Sequence, residues 1–302
     1  MDQVARHHYD LRFKCDFLEK KGNAFQDFFS ELMQKVHPAD FIPTKPWGKV
    51  GDKKNDGYLK SARTLFQVYA PDEMTASKAI SKIGADFDGA LPYWKTHFDR
   101  WVFVHNSKGL GPDALKKLLE IGKKHPKIKI ESWGFEELRR EFWKLPEHEI
   151  VGWFGAGPTA EALLKLGYED LRVVLEAIAK QTPPLNDPIK PVDPGKLAAN
   201  ALSTDAESLL AAGMRKAKLV EKFFAEWHDP TFGDVVTEAF GNEYRRLKSL
   251  KLSPDDIFVH LQDFAGGKLR GNSTHQTAVL AVLAHLFEEC DIFEPPRKKT
   301  ET

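Results

Sequence analysis

Cysteine is nearly missing from this chain. Only Cys15 and Cys290 occur in 302 residues, near opposite ends and without metal-ligand spacing. That argues against a disulfide-stapled scaffold and a thiolate zinc site, and predicts reduced thiols in a cytoplasmic protein. No apolar run reaches the roughly 18 residues of a membrane-spanning helix, and no apolar leader follows the start, so neither a membrane span nor export is expected. Neither sign of charge prevails: 44 Lys and Arg balance 44 Asp and Glu. Global charge therefore recommends no partner, while a local basic groove stays compatible with it. The 11 histidines include His7 and His8 but no H-E-x-x-H pair, and there is no G-x-S-x-G turn, so neither zinc nor serine hydrolysis is supported.

What is present is a chain with 42% hydrophobic residues, long enough for two cores. Residues 2–20 read as a helix, and Asn23 is placed to cap the next. Phe25, Phe28, Phe29, Leu32, Met33 and Val36 recur at three- and four-residue steps, an amphipathic helix. Phe41 to Trp47 is expected as a ragged first strand because of Pro43 and Pro46. A helix is expected from Asp72 to about His97, carrying Lys78 and Lys82, then a buried strand over Arg100–His105. Helices over Pro112–Lys124 and Phe135–Lys144 enclose a strand over Lys127–Ser132. An initial antiparallel pair followed by alternating strand and helix predicts a mixed sheet with helices on its faces.

Residues 51–57 look superficially like a calcium loop, but Lys54 sits at the third ligand position and Arg63 where the closing glutamate belongs. Gly152, Gly155 and Gly157 precede a helix. They lack a P-loop lysine and a dinucleotide spacing, which leaves an irregular helix-hairpin-helix DNA module or a plain loop with Thr159 as cap.

The informative stretch is 56–69. A turn centred between Ser61 and Ala62 sets Asp56 directly opposite Gln67, at a Cβ separation of about 5 Å. Two oxygen-bearing side chains then share one place. The two-residue period puts Tyr58, Leu65 and Tyr69 on their face, the expected site, and Leu59, Phe66 and Val68 on the other, the expected core.

An acid entering one strand, with an acid or amide, a spacer and a lysine on the next, is the core of the PD-(D/E)XK nucleases, and residues 23–105 resemble that restriction-endonuclease-like fold. The resemblance implies a Mg²⁺ ion held by Asp56 and Gln67, helped by the Val68 backbone carbonyl and by Glu31 on the preceding helix. It also implies a lysine that steadies the attacking water. Tyr69 holds the lysine position, so the charge has to come from the next helix, with Lys82 the expected donor.

Residues 182–195 are dense in proline and read as a domain linker. After them every segment reads helical, over about 204–227, 233–250, 254–265 and 274–289, with Ser253 a natural N-cap ahead of Pro254. Lys216 to Glu221, Asp229-Pro230, Tyr244, Ser253 to Phe258 and Phe287 to Glu294 resemble the effector-side C-terminal domain of bacterial ABC-three-component conflict systems, related to Lamassu-type phage defence. That resemblance implies an SMC/Rad50-like ATPase and a small middle component as partners. Phe287, Ile292 and Phe293 suit a core better than an interface, and Arg297-Lys298-Lys299 suits a solvated tail.

The expected organisation is a nuclease-like α/β domain over 1–150, a helical extension over 151–181, the linker over 182–195 and an all-α assembly domain over 196–302. Two functions follow: a Mg²⁺-dependent deoxyribonuclease effector activated through its ATPase, or a catalytically inactive nuclease fold serving as DNA-binding or scaffold subunit. A stand-alone structural protein is disfavoured by two unlike domains. Self-association stays open.

Overall fold

The computed structural model describes residues 1–44, 53–179, 196–266, 271–289 and 292–294. In chain order the elements are α1 (Gln3–Glu19), α2 (Gly22–Val36), β1 (Phe41–Pro43), β2 (Gly57–Leu59), β3 (Thr64–Tyr69), α3 (Ala76–Trp94), β4 (Arg100–His105), α4 (Pro112–Lys124), β5 (Lys129–Trp133) and α5 (Phe135–Phe142). Helices alone follow: α6 (Glu147–Phe154), α7 (Ala160–Lys165), α8 (Tyr168–Ala179), α9 (Lys196–Ala199), α10 (Thr204–Met214), α11 (Ala217–Glu226), α12 (Phe232–Ser249), α13 (Pro254–Gly266) and α14 (Ser273–Glu288). The expected linker, residues 45–47 of the expected first strand and Arg297-Lys298-Lys299 lie outside the described residues.

One compact unit is Asp16–Glu149, and the other joins Met1–Cys15 to Ile150–Thr302. The first fifteen residues and residues 151–179 therefore group with the C-terminal helices, where the sequence suggested a start in the nuclease-like domain and a separate extension over 151–181. The reason is packing: Leu11 and Cys15 enter the same apolar cluster as Leu171, Leu209 and Leu280.

In the sheet unit the strand order is β1-β2-β3-β4-β5. β1, β2 and β3 run antiparallel, while β3, β4 and β5 are parallel, with α3 and α4 as the crossovers that parallel neighbours require. Gly57 pairs with Phe66 and Leu59 with Thr64, a register symmetric about the Ser61–Ala62 bond. Leu65, Trp101 and Phe103 pack on Ile83, Phe87 and Leu118 of α3 and α4. On the other face Phe66 meets Phe29, Phe41 and Trp133. The alternation is as expected, but neither face is open. Parallel strands fed by crossovers carry helices on both sides, and the site is left to the strand ends.

Two helix boundaries also differ from expectation. α2 begins at Gly22 behind Lys21, which makes no side-chain cap, because the Gly22 N–H donates to the Ala70 carbonyl at 2.6 Å. Asn23 thus lies inside the first turn. The helix expected over 204–227 is two, α10 and α11, joined by a tight turn in which Lys216 N–H donates to the Gly213 carbonyl at 2.9 Å.

The helical unit is built around α14, in which every residue from His275 to Phe287 is buried. A helix apolar all round belongs in the middle of a bundle, and α7, α8, α10, α11 and α13 pack against it. Gly213 allows α10 its close approach: a Cβ there would stand 2.6 Å from the Leu280 carbonyl oxygen. The Gly155–Gly157 loop is a joint as well. The Tyr9 hydroxyl donates to the Gly155 carbonyl at 2.9 Å and accepts from Gly157 N–H at 3.0 Å. Thr159 caps α7 through Ala162 N–H at 3.0 Å. This is the plain-loop alternative.

Candidate functional site

Asp56 enters β2 next to Gly57, and its N–H donates to the Phe66 carbonyl at 2.9 Å, which continues the β2–β3 ladder by one step. Its side chain reaches Gln67, as the symmetric turn predicts. The Gln67 Nε2 donates to Asp56 Oδ2 at 2.6 Å and the Val68 N–H to the same oxygen at 2.7 Å. Gln26 of α2 donates to Oδ1 at 2.5 Å. Asp56 and Gln67 are each only 3% exposed. Gln67 Oε1 is buried without a hydrogen-bond partner, and a buried acceptor left so costs about 1–3 kcal/mol.

The other expected residues fall unevenly. Val68 reaches Asp56 through its N–H, whereas the expectation used its carbonyl. Glu31 is exposed and lines an open groove with Asp27, Gln34 and Glu149. Gln26, in the first turn of α2, takes the place expected of Glu31, because Gln26 and Glu31 point about 140° apart on a helix of 3.6 residues per turn. Tyr69 pairs with His105 across β3 and β4 and is half-buried. The Lys82 Nζ stands 5.9 Å over its ring and 3.0 Å from Asp86 Oδ2.

Two contributors were missed in the sequence. Asp86 interrupts the buried stripe of Ala79, Ile83, Phe87 and Ala90, and an acid inside an apolar stripe with a lysine four residues before it is a legible signal. Lys54 has no such signature. Its Nζ lies 3.1 Å from Asp86 Oδ1, and both Lys53 and Lys54 have positive φ, 52° and 62°, a conformation that non-glycine residues hold only when their surroundings enforce it. Here α3 does so. Trp94 Nε1 donates to the Lys53 carbonyl at 3.1 Å, and the Lys53 ammonium sits 4.7 Å from the Tyr93 ring centroid. The strained pair leads directly into Asn55 and Asp56.

Tyr69 and His105 are the last residues of β3 and β4, and the ends of parallel strands are the usual place for ligands in open α/β sheets. His105 closes β4 there. Burial pushes its imidazole down to about 4, and Ser107 Oγ lies 2.9 Å from Nδ1. Among the described residues no group of three or more His, Cys, Asp or Glu side chains could hold a metal ion.

Comparison with known families bears on the other unit. Residues 169–294 match the model of C-terminal domain 10 of the ABC-three component (ABC-3C) systems. The match covers less than half of the chain and supports membership of these defence-related systems. No curated protein and no solved structure matches. Within the matched region, Phe287, Ile292 and Phe293 are core residues. The buried Lys196 ammonium donates to the Phe287 carbonyl at 3.0 Å and the Ile292 carbonyl at 2.5 Å. Asn200 exchanges hydrogen bonds with the Glu294 backbone at 2.8 and 2.9 Å. The motif that closes this ABC-3C domain is thus an internal clasp, and no helix of the described chain is long and apolar enough to cross a membrane.

Proposed function

We propose that the chain is the effector subunit of a defence-related ABC-three-component system and that its sheet unit is a Mg²⁺-dependent DNA nuclease of the PD-(D/E)XK type. The observation that carries this reading is the buried Gln67 amide, whose Nε2 donates to the Asp56 carboxylate while its Oε1 has no hydrogen-bond partner. An acceptor without a donor next to a carboxylate is a place a cation relieves. Mg²⁺ fits a set this small, because it keeps several waters and takes its remaining ligands from one or two carboxylates and from substrate phosphates.

Asp56 and Gln67 would hold the ion, which supplies polarisation of the scissile phosphate when bound. Lys82 provides the positive charge that Tyr69 lacks at neutral pH. The near-complete burial of Asp56 and Gln67 suits an effector that is silent until its partners engage it. Those partners are, in this reading, an SMC/Rad50-like ATPase and a small middle component, acting on DNA in the cytoplasm.

A second reading has its own observation. Asp56 already receives three N–H donors, from Gln26, Gln67 and Val68, as a structural carboxylate does. On this reading the fold is an inactive DNA-binding or scaffold subunit. The two part on one experiment: DNA cleavage by the complex reconstituted with both partner components in Mg²⁺, with wild type and Asp56→Ala. The nuclease reading expects cleavage by wild type and a loss of at least about a hundredfold in the variant, with assembly intact. Undiminished cleavage by Asp56→Ala, or none by the wild-type complex, decides against it.

A further inference from the structure

α3 carries a stripe that the core does not use. Ser77, Lys78, Ser81, Lys82 and Ala85 follow one another at helical spacing and, with Tyr69, line an open groove of about 440 Å³. Its lining combines small side chains with two lysines and a phenol. Lysine, serine and tyrosine are among the side chains that contact nucleic-acid phosphates.

Under the groove lies Asp86, with no exposure at all. Its carboxylate takes Lys82 Nζ at 3.0 and 3.1 Å and Lys54 Nζ at 3.1 Å. An ordinary i,i+4 ion pair on a helix is a surface device worth a few tenths of a kcal/mol. It accounts neither for the burial nor for the second cation brought in by the strained loop. Burying a carboxylate costs several kcal/mol unless it is well paired, and here two ammoniums pair it. Both lysines keep an outlet to solvent, at 31% exposure for Lys82 and 42% for Lys54. The Lys54 stem is seated on α3, since a Cβ at Gly89 would come within 2.9 Å of its Cγ. Two ammoniums are thereby fixed around one hidden carboxylate at the edge of a groove.

We propose that Asp86 is a positioning residue that holds Lys82 and Lys54 as a clamp for a nucleic-acid phosphodiester backbone lying in the α3 groove. The inference rests on the nucleic-acid reading of the sheet unit and adds the residue that organises it.

The test uses the full chain, a short fluorescent DNA duplex and anisotropy over a range of salt in EDTA. No divalent ion is then present, so the result does not depend on cleavage by the complex. Lys82→Ala should weaken binding about fivefold and reduce the salt slope by about one, the signature of a lost phosphate contact. Asp86→Asn is the discriminating variant. It deletes a negative charge, so long-range electrostatics alone predicts tighter binding, whereas positioning of both lysines predicts binding weakened at least as much as by Lys82→Ala. The double variant should be no weaker than Asp86→Asn alone. If Asp86→Asn does not fold, Lys54→Gln, which keeps the Lys82 pair, should also bind about fivefold more weakly. Tighter or unchanged binding by Asp86→Asn, unchanged binding by Lys54→Gln, or no duplex binding by wild type overturns the proposal.

Discussion

In the helical unit the buried Lys196 ammonium, the Tyr9 hydroxyl and the Asn200 amide each close a joint between separate stretches of chain. In the sheet unit Asp56 takes three N–H donors, one of them from Gln67, and Asp86 is buried against two lysines that keep part of their exposure. The difference follows from architecture. The bundle joins its polar groups to backbone ends and also to one another, as in Arg12 with Asp263 and Lys14 with Asp255. A parallel sheet ends in a rim where side chains from several strands and a crossover helix meet without being covered by the next element. The proposed function puts chemistry in the sheet unit and assembly in the helical one, which holds the ABC-3C match over residues 169–294.

The comparison breaks most visibly at Gly213. A Cβ there meets the Leu280 carbonyl oxygen at 2.6 Å and the Ala284 Cβ at 2.8 Å, and neither can give way inside a packed helix pair. Gly213→Val should cost the helical unit about 3 kcal/mol or more. Hydrogen exchange should find amides of α10 and α14 deprotected while those of β3 and β4 keep their protection. Equal loss in both units would mean that they unfold as one.

A pH titration sharpens the contrast from the sheet side. His105 is held near 4 by burial against about 6.5 in an unfolded chain. The folded state thus favours the neutral ring, and the contribution is complete above about pH 6.5 and is lost as pH falls toward 4. Between pH 7 and pH 5 the sheet unit should lose about 2 kcal/mol. Burial lowers His275 and His285 of the helical unit as well, so a control is needed. His105→Asn should flatten the pH dependence of denaturant unfolding in the sheet unit alone. An unaltered curve would remove His105 as its source.

The smallest effect is at a cap. Ser253 Oγ accepts from Asp256 N–H at 3.2 Å and donates to the Asp256 carboxylate at 2.6 Å. Ser253→Ala should lower the stability of the helical unit by about 1 kcal/mol, read as a shift of its thermal midpoint. A loss several times larger would show that the start of α13 supports more than its own first turn.

Much of this was legible in the residues. The Arg100–His105 strand, α4 over Pro112–Lys124 and the Ser253 cap follow from periodicity and end signals, which act within a few residues. So does the opposition of Asp56 and Gln67, because a turn of fixed length sets the register of both its strands. What acts across the chain was not legible. The start of α2 is chosen by a hydrogen bond from Gly22 to Ala70, the break between α10 and α11 accompanies the approach of Gly213 to α14, and residues 1–15 go to the helical core because Leu11 and Cys15 find apolar partners there. The same holds at the site. Turn spacing named Asp56 and Gln67 and the PD-(D/E)XK resemblance named Lys82, but the choice of Gln26 over Glu31, and the meeting of Lys54 and Lys82 on Asp86, depend on how a helix is rotated against a sheet and how a loop is seated on it. Those angles are set by the packing of whole elements, to which no local run of residues has access.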